Sequence, residues 1–267
     1  MAALASAALV LFLLLASSAA GMFVRPLLSE HHRSAQTNEF LRLIVTMLIT
    51  FVALVLGLLT TSVKASFDRV GGEVTGFAIA IIQLDRLLRE WGEVAEPARI
   101  LLRSYTASAI AMTWQEEPKP AGNYYLRQPS GPATAPQAEN PRLGDILNHI
   151  ERDIRGFNAK DEMHRRLAKD CLDQMQNLMR IRWHLIEDSE SSITTPFYVV
   201  LVFWLIIVFA SFGLTAPRNA LSYTAIVLGA LSISSAIFAI LELDTPFGGI
   251  IAVSSRPMRD ALAHLIH

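Results

Sequence analysis

The sequence predicts an all-α membrane protein with four transmembrane helices and a helical extramembrane insert between helices two and three. Hydrophobic residues make up 52% of the chain and the mean hydropathy is +0.38, which is more apolar than soluble domains usually are. Four stretches carry no charge over the roughly 20 residues that a helix needs to cross the hydrocarbon core. The charged residues are concentrated elsewhere, because 36 of the 47 Lys, Arg, Asp and Glu side chains lie in positions 64–190.

These runs divide the chain into four predicted segments. Residues 1–63 hold transmembrane helices one and two, and residues 64–195 form a helical extramembrane domain with a Pro-rich loop at 116–141. Residues 196–241 form a transmembrane hairpin, and residues 242–267 form a tail with a short helix. Each apolar run must be helical, because lipid offers no partner for unpaired backbone N–H and C=O groups.

The first run, Ala2–Val24, has no charge in 23 positions. A signal peptide is the alternative, because small residues follow Leu15 as they would at a cleavage site. The run lacks a basic n-region and continues apolar through Val24, so we predict a retained transmembrane helix. Its small residues near Gly21 would let a neighbouring helix approach closely.

The second run, Leu43–Val63, is uncharged over 21 positions. The third and fourth, Phe197–Ala216 and Ala220–Leu241, are separated by three residues and are predicted to form an antiparallel hairpin. Asn219 is the predicted N-cap of the fourth helix, because its side chain can accept from a free N–H of the first turn.

Close packing inside that hairpin is predicted from small residues on both sides. Gly213 and Ser211 lie on one helix, and Gly229, Ser232 and Ser234 lie on the other. Small side chains of this kind let transmembrane helices approach one another.

The insert has a helical period throughout. Helix two is predicted to continue beyond the membrane with an apolar stripe at three- and four-residue steps. The members of that stripe are Phe67, Val70, Val74, Phe77, Ile81, Leu84 and Leu88. Gly71, Gly72 and Gly76 interrupt it, which predicts a kink or a close helix contact there.

Three more helices follow. Pro97 occupies a helix-start position, and six prolines in residues 116–141 then predict a flexible loop. The next apolar stripe ends near Gly156, and Asn158 is the predicted cap of a long final helix. That helix carries a stripe of Leu167, Cys171, Met175, Leu178, Arg182 and Leu185. In the tail, Ser254 and Ser255 are predicted to begin a short helix with the apolar stripe Met258, Leu262 and Leu265.

The sequence offers no catalytic or cofactor motif. Cys171 is the only cysteine, which excludes disulfides within the chain and zinc sites built from cysteines. The formal net charge of −1 gives no nucleic-acid-binding patch. We therefore expect no enzyme activity, cofactor, metal or nucleic-acid partner, and the lipid bilayer is the expected partner.

Acidic residues gather at two predicted membrane boundaries. If these five carboxylates converged, they would supply enough oxygen ligands for a hard cation. The alternative is that they mark where the helices leave lipid. The members of this acidic interfacial cluster are Glu187, Asp188, Glu190, Glu242 and Asp244.

The apolar runs contain no Asp, Glu, Lys, Arg or His, which argues against a proton relay but leaves a passive pore or a simple membrane anchor. Four crossings place both termini and the insert on one side. Positive charges do not decide whether this side is the cytoplasmic one. The total number of Lys and Arg residues favours a cytoplasmic insert, whereas their density in the short loops favours the opposite orientation.

Several segments resemble the bestrophin-like family of bacterial membrane proteins. They include Leu56-Gly57-Leu58-Leu59, Leu84-Asp85-Arg86, Val202-Phe203-Trp204, Ala216-Pro217-Arg218-Asn219 and the ending Leu241-Glu242-Leu243-Asp244-Thr245-Pro246-Phe247-Gly248-Gly249. The order of two helices, a helical insert and two more helices also matches, so the resemblance covers nearly the whole chain.

The resemblance implies an ion channel, because bestrophins are pentameric anion channels whose second helix lines the pore. It implies a homo-oligomer in the inner membrane with the insert and both termini in the cytoplasm. The implied pore-lining residues are Thr46, Thr50, Phe51, Leu54, Gly57 and Thr61. Bestrophins carry a calcium site beside an acidic run after Pro-Phe-Gly, but here Gly249 and Ile250 follow, so that site is not expected. The alternative function is a membrane-anchored interaction or scaffold protein with a cytoplasmic helical domain.

Overall fold

The computed structural model describes residues 2–27, 35–122, 141–158, 161–189, 195–217 and 219–266. Within these ranges the chain is all-α and contains no strand, as predicted. The helices are α1 (Ala2–Val24), α2 (Ala35–Trp91), α3 (Glu96–Thr113), α4 (Pro141–Arg155), α5 (Glu162–Asp188), α6 (Thr195–Thr215), α7 (Ala220–Leu243) and α8 (Arg256–Ile266). Short 3₁₀ turns occur at Arg25–Leu27 and Glu93–Ala95.

The chain divides into two compact units. The membrane unit consists of Met1–Ser66, Ser191–Thr245 and Gly249–Ile251. The insert unit consists of Phe67–Glu190, Pro246–Gly248 and Ala252–His267. Helix α2 contributes its first part to the membrane unit and its second part to the insert unit.

Four helices are long and apolar enough to cross a membrane, and they are α1, α2, α6 and α7. This confirms the four predicted transmembrane helices. In the membrane unit α1 packs against both α6 and α7. Leu14 of α1 and Phe209 of α6 lie in the core of this unit, with 0% and 1% of their surfaces exposed.

Helices α1 and α6 approach each other closely at two glycines. A Cβ atom added at Gly21 would overlap the carbonyl oxygen of Ala210, and one added at Gly213 would overlap that of Ser18. Only glycine fits where two helix backbones lie this close. The prediction that Gly213 packs within the hairpin was therefore wrong, because its close contact is with α1. Gly229 of α7 does face α6, since its Cβ would lie 3.9 Å from the ring of Phe209.

Helix α7 begins where the sequence predicts. The Asn219 side chain accepts a hydrogen bond from the backbone N–H of Ser222 at 2.8 Å, so the predicted N-cap is confirmed. The helix ends at Leu243, two residues beyond the apolar run.

The insert unit is built from the second part of α2 with α3, α4, α5 and α8. Helix α3 packs against α4 and α8, and α4 packs against α5. Leu84, Leu102, Leu147 and Leu178 are each fully buried in the core of this unit.

The tail is tied into the insert unit by hydrogen bonds as well as by apolar contacts. The indole N–H of Trp114 donates to the carbonyl oxygen of Val253 at 2.6 Å. Arg89 donates to the carbonyl oxygen of His264 at 2.7 Å, which also satisfies a free carbonyl near the end of α8. The predicted stripe of α8 is buried, with Met258, Leu262 and Leu265 each exposing 5% or less.

A buried carboxylate joins α2 and α3 in the insert unit. Asp85 exposes only 4% of its surface and accepts hydrogen bonds from Arg89 at 2.7 Å and Arg99 at 2.9 Å. Arg99 also donates to Glu96 at 2.6 Å. A buried charge needs such partners, because desolvation alone would cost several kcal/mol.

One local prediction in the insert was wrong, and another lies partly outside the described residues. Asp161, not Asn158, caps α5, and its carboxylate accepts from the backbone N–H of His164 at 2.8 Å. Helix α2 is continuous through its glycines, and a Cβ at Gly72 or Gly76 would meet no atom within 4 Å, so these two make no close helix contact. The kink stays a prediction. Pro97 does lie in the first turn of α3. Of the Pro-rich loop, residues 123–140 lie outside the described ranges.

Candidate functional site

The candidate site is the face of α2 that turns away from the other helices of the membrane unit. Between Leu43 and Val63 the helix has no charge, so lipid or an apolar neighbour can surround it. One side packs inward: Val52 and Val63 expose 7% and 1% of their surfaces, and Val52 shares a core cluster with Leu201 and Phe209.

All six predicted pore residues lie on the exposed surface of α2. Leu54 and Phe51 expose 59% and 43% of their surfaces. At about 100° of rotation per residue, five of the six fall within a sector of about 80°. Val52 lies on the opposite side of the helix. The five that share this sector are Thr46, Thr50, Leu54, Gly57 and Thr61, while Phe51 lies at its margin. We call these five residues the outward stripe.

The polar groups of the outward stripe are turned toward their own helix. The hydroxyl groups of Thr46, Thr50 and Thr61 donate to the carbonyl oxygens four residues earlier, at 2.8, 3.0 and 2.9 Å. A hydroxyl whose proton is used in this way has only acceptor capacity left. The outward stripe is therefore weakly polar and uncharged, with no fixed ligand for a tightly held ion.

Phe51 marks the edge of the outward stripe. Its ring lies 6.3 Å from that of Trp204 in α6, at an interplanar angle of 46°. This aromatic contact places Phe51 on the side of α2 that faces α6. The outward direction of the stripe follows from this contact and from the buried Val52.

The members of the acidic interfacial cluster have separate partners. Asp188 of the insert unit forms an ion pair with Arg69 at 3.6 Å, and Glu187 of that unit is exposed. Glu190 lies outside the described residues. The convergence of the five carboxylates stays a prediction, and the described residues contain no group of three or more His, Cys, Asp or Glu suited to a metal ion.

Glu242 of the membrane unit is the best-defined member of that cluster, and Asp244 follows it as the C-cap residue of α7. Glu242 exposes 3% of its surface, and its carboxylate accepts from the backbone N–H of Ile250 at 2.7 Å. Gly249 has φ +83°, and a Cβ there would overlap the carboxylate of Glu242. A left-handed backbone and a close approach both require glycine here. The Glu242 carboxylate therefore holds the chain that follows Pro-Phe-Gly.

Sequence reasoning missed a buried cation in the insert unit. Arg182 occupies a position of the apolar stripe of α5 and exposes only 7% of its surface. The available signal was the arginine itself, because long charged side chains are rarely buried unless they meet a partner.

A family model for the bestrophin-like domain matches residues 11–258. Among functionally curated proteins, none matches the chain closely enough to count as a relative. In fold the chain is similar to crystal structures of a bacterial bestrophin homologue from Klebsiella pneumoniae. One tryptophan-to-alanine variant has a TM-score of 0.65 at 16% identity, covering 100% of this chain and 97% of that chain.

An isoleucine-to-threonine variant of the same homologue has a TM-score of 0.63 at 15% identity, covering 97% of each chain. A structure described as a membrane protein with a proline-to-alanine change gives 0.64 at 15% identity, with 98% and 97% covered. Because the family model spans most of the sequence and the fold agrees along its whole length, this chain belongs to the bestrophin-like family.

Proposed function

We propose that this protein is a homo-oligomeric ion channel of the inner membrane, with the outward stripe of α2 lining its conducting path. The observation that carries the proposal is the placement of Thr46, Leu54 and Thr61 opposite the side on which α2 packs in its own unit. A single chain leaves this surface uncovered, and several copies arranged around an axis would enclose it.

The chemistry of the stripe supports passive conduction. Apolar and small side chains can form a constriction that opens by wetting, with no charge needed at depth. Rings of Asp or Glu are a common device of cation channels. The span from Leu43 to Val63 has neither acidic nor basic residues, so its charge does not select the ion, and the choice of small anions rests on the family resemblance. The family resemblance favours the same ions and a cytoplasmic position for the insert and both termini.

Purified protein reconstituted in liposomes provides the test. We expect chloride efflux above that of empty vesicles, and a particle mass in detergent of several times 29.4 kDa. The same vesicles loaded with potassium and an impermeant anion should show little efflux. Cation flux that exceeds chloride flux would contradict the anion class while keeping the channel.

A monomeric mass together with flux equal to empty vesicles would remove the channel proposal. Four transmembrane helices of one chain leave the outward stripe in lipid and enclose no path along it. That pair of results would favour the alternative of a membrane-anchored interaction protein acting through its helical insert.

A further inference from the structure

The insert unit contains a buried positive charge that meets no described carboxylate. Arg182 lies on the inner side of α5, in register with Cys171, Met175 and Leu178, which are each fully buried. Among the residues that the structure describes, no Asp or Glu forms an ion pair with its guanidinium. Trp183 offers only its ring, 5.5 Å from the guanidinium carbon.

The Arg182 side chain lines a cavity of ≈ 50 Å³. About 10–15 Å³ by this kind of measure is enough for one water, so the space fits a few waters or one small ion. The walls are mostly apolar, and Tyr105 and Thr113 add the only other polar side chains among the lining residues described. Trp114 also lines the cavity, but its indole N–H is already used by Val253.

Arg182 also lies close to the N-terminus of α4. The nitrogens of Arg182 lie about 4 Å from where a Cβ of Gly144 would be, at 3.9 and 4.0 Å. Gly144 is in the first turn of α4, and the first turn carries the positive end of the helix dipole. Two sources of positive potential therefore meet at one place.

Tyr105 supplies a neutral donor beside that charge. Burial raises the pKa of Tyr105 to about 12, although Arg182 opposes the rise through its charge and through a hydrogen bond with the Tyr105 side chain. The hydroxyl keeps its proton at neutral pH, so its oxygen accepts from Arg182 and its O–H can still donate. A neutral hydroxyl beside a guanidinium is a donor set suited to an anion and unsuited to a cation.

Arginine cannot avoid the energetic cost of a buried charge by losing its proton, because its pKa lies far above neutral. An isolated buried charge is unfavourable unless an opposite charge or strong hydrogen bonds compensate it. We propose that this cavity binds one small monovalent anion, a halide or a small carboxylate, held by Arg182 and Tyr105. The site lies in the insert unit and does not depend on ion conduction.

Bromide is the probe, because it is small and can be located by anomalous scattering. The full chain in detergent would be heated in bromide or in gluconate at constant ionic strength, since gluconate is too large for the cavity. We expect the Tm to rise with bromide and then saturate, because a ligand that binds the folded state stabilises it. Crystals grown in bromide should show an anomalous peak within hydrogen-bonding distance of Arg182.

Variants separate a specific site from a general salt effect. Arg182→Gln should remove the bromide-dependent rise, and Tyr105→Phe should require roughly tenfold more bromide, as expected for one lost hydrogen bond of about 1.4 kcal/mol. Arg180→Gln is the matched control, because Arg180 is exposed on the same helix and donates to Asn177 at 2.7 Å. This control should respond to bromide like the unmodified protein.

Two results would overturn the proposal. One is an equal Tm in bromide and gluconate, and the other is a cavity with no anomalous peak in crystals grown in bromide. If Arg182→Gln does not fold, the anomalous map and the Tyr105→Phe titration decide the question. An unshifted titration together with no peak then leaves water as the occupant and contradicts an anion site.

Discussion

The two units of this protein bury their apolar residues by different rules. In the most apolar 18-residue stretch of α2 only 6% of residues are buried, against 22–28% in the other three apolar helices. In the insert unit, by contrast, large side chains such as Leu84 and Met175 are fully buried. Apolar side chains exposed on α2 are compatible with a membrane, because lipid tails are as apolar as a protein core.

The difference teaches where each unit is sensitive to mutation. The membrane unit gains little from removing apolar surface from lipid, so close backbone contact and small residues stabilise it. The insert unit carries most of the charged residues of the chain, and its apolar core and buried charges stabilise it. Substitutions of matched chemistry in the two units should therefore have different effects.

The largest effect is expected at the buried carboxylate of the insert unit. Asp85→Ala would leave the guanidinium groups of Arg89 and Arg99 without their shared acceptor. Removing one partner of a buried ion pair costs about 3–5 kcal/mol. Thermal unfolding in detergent measures this loss.

Arg86→Ala is the control for Asp85→Ala. Arg86 pairs with Glu90 at 3.4 Å, but the two side chains are 81% and 53% exposed. An exposed pair of this kind contributes about 0–1 kcal/mol. Equal losses of stability in the two variants would contradict the assignment of Asp85 to a buried network.

The next effect is expected where α1 and α6 approach each other closely. Gly213→Ala would place a Cβ against the backbone of Ser18, and overpacking of this kind costs about 1–3 kcal/mol. Gly57→Ala is the matched control, because nothing lies within 4 Å of its added Cβ. Alanine at that position should stabilise the helix by about 1 kcal/mol. The comparison uses monodispersity and Tm in detergent, and a tolerated Gly213→Ala would refute the close contact.

The smallest effect concerns the N-cap of α5. Hydrogen bonds from the backbone N–H and the side chain of His164 lower the pKa of the Asp161 carboxyl below its usual value of 3.8. A lowered pKa means that the ionised carboxylate adds stability above that usual value, and that this stability is lost as the pH falls through the folded-state pKa.

Asp161→Asn keeps a good cap but removes this titration. The unmodified protein should be slightly more stable than the variant at about pH 7, and the difference should be smaller at about pH 3. Asp161→Ala loses the cap itself, so it should be less stable at both pH values. If the unmodified protein and Asp161→Asn differed in stability by the same amount at both pH values, this account would be contradicted.

The fold was predictable where a single apolar run or a single cap residue determines the position of a helix. The uncharged runs predicted α1, α6 and α7, and Asn219 was identified as a cap because it directly precedes the fourth uncharged run. Asn158 and Asp161 are both good caps three residues apart, and local sequence does not choose between them. The partner of Gly213 was misassigned because adjacency along the chain suggested α7, whereas packing brought in α1.

The site was less predictable than the fold. The resemblance pointed to α2 and to residues such as Leu54 and Thr61, but periodicity alone does not say which side of an all-apolar helix faces outward. That direction required the buried positions of Val52 and Val63. In the sequence, Arg182 stood out only as a charged residue within an apolar stripe. That no described carboxylate pairs with it depends on three-dimensional packing, which the sequence does not show.

The central claim is that the outward stripe of α2 lines a path between copies of the chain. Thr61→Cys and Thr60→Cys make a matched pair, because both threonines are exposed and donate to carbonyls four residues earlier, at 2.9 and 2.7 Å. Their side chains differ in direction by about 100°, and only Thr61 belongs to the stripe. Cys171 adds little background, because it is buried and burial raises its pKa to about 11.

The decisive measurement is chloride efflux from liposomes before and after a charged, membrane-impermeant thiol reagent is added. The account predicts that the reagent changes efflux severalfold in Thr61→Cys and leaves Thr60→Cys and the unmodified protein unchanged. Modification that alters efflux equally in both variants, or only in Thr60→Cys, would contradict a path along the outward stripe.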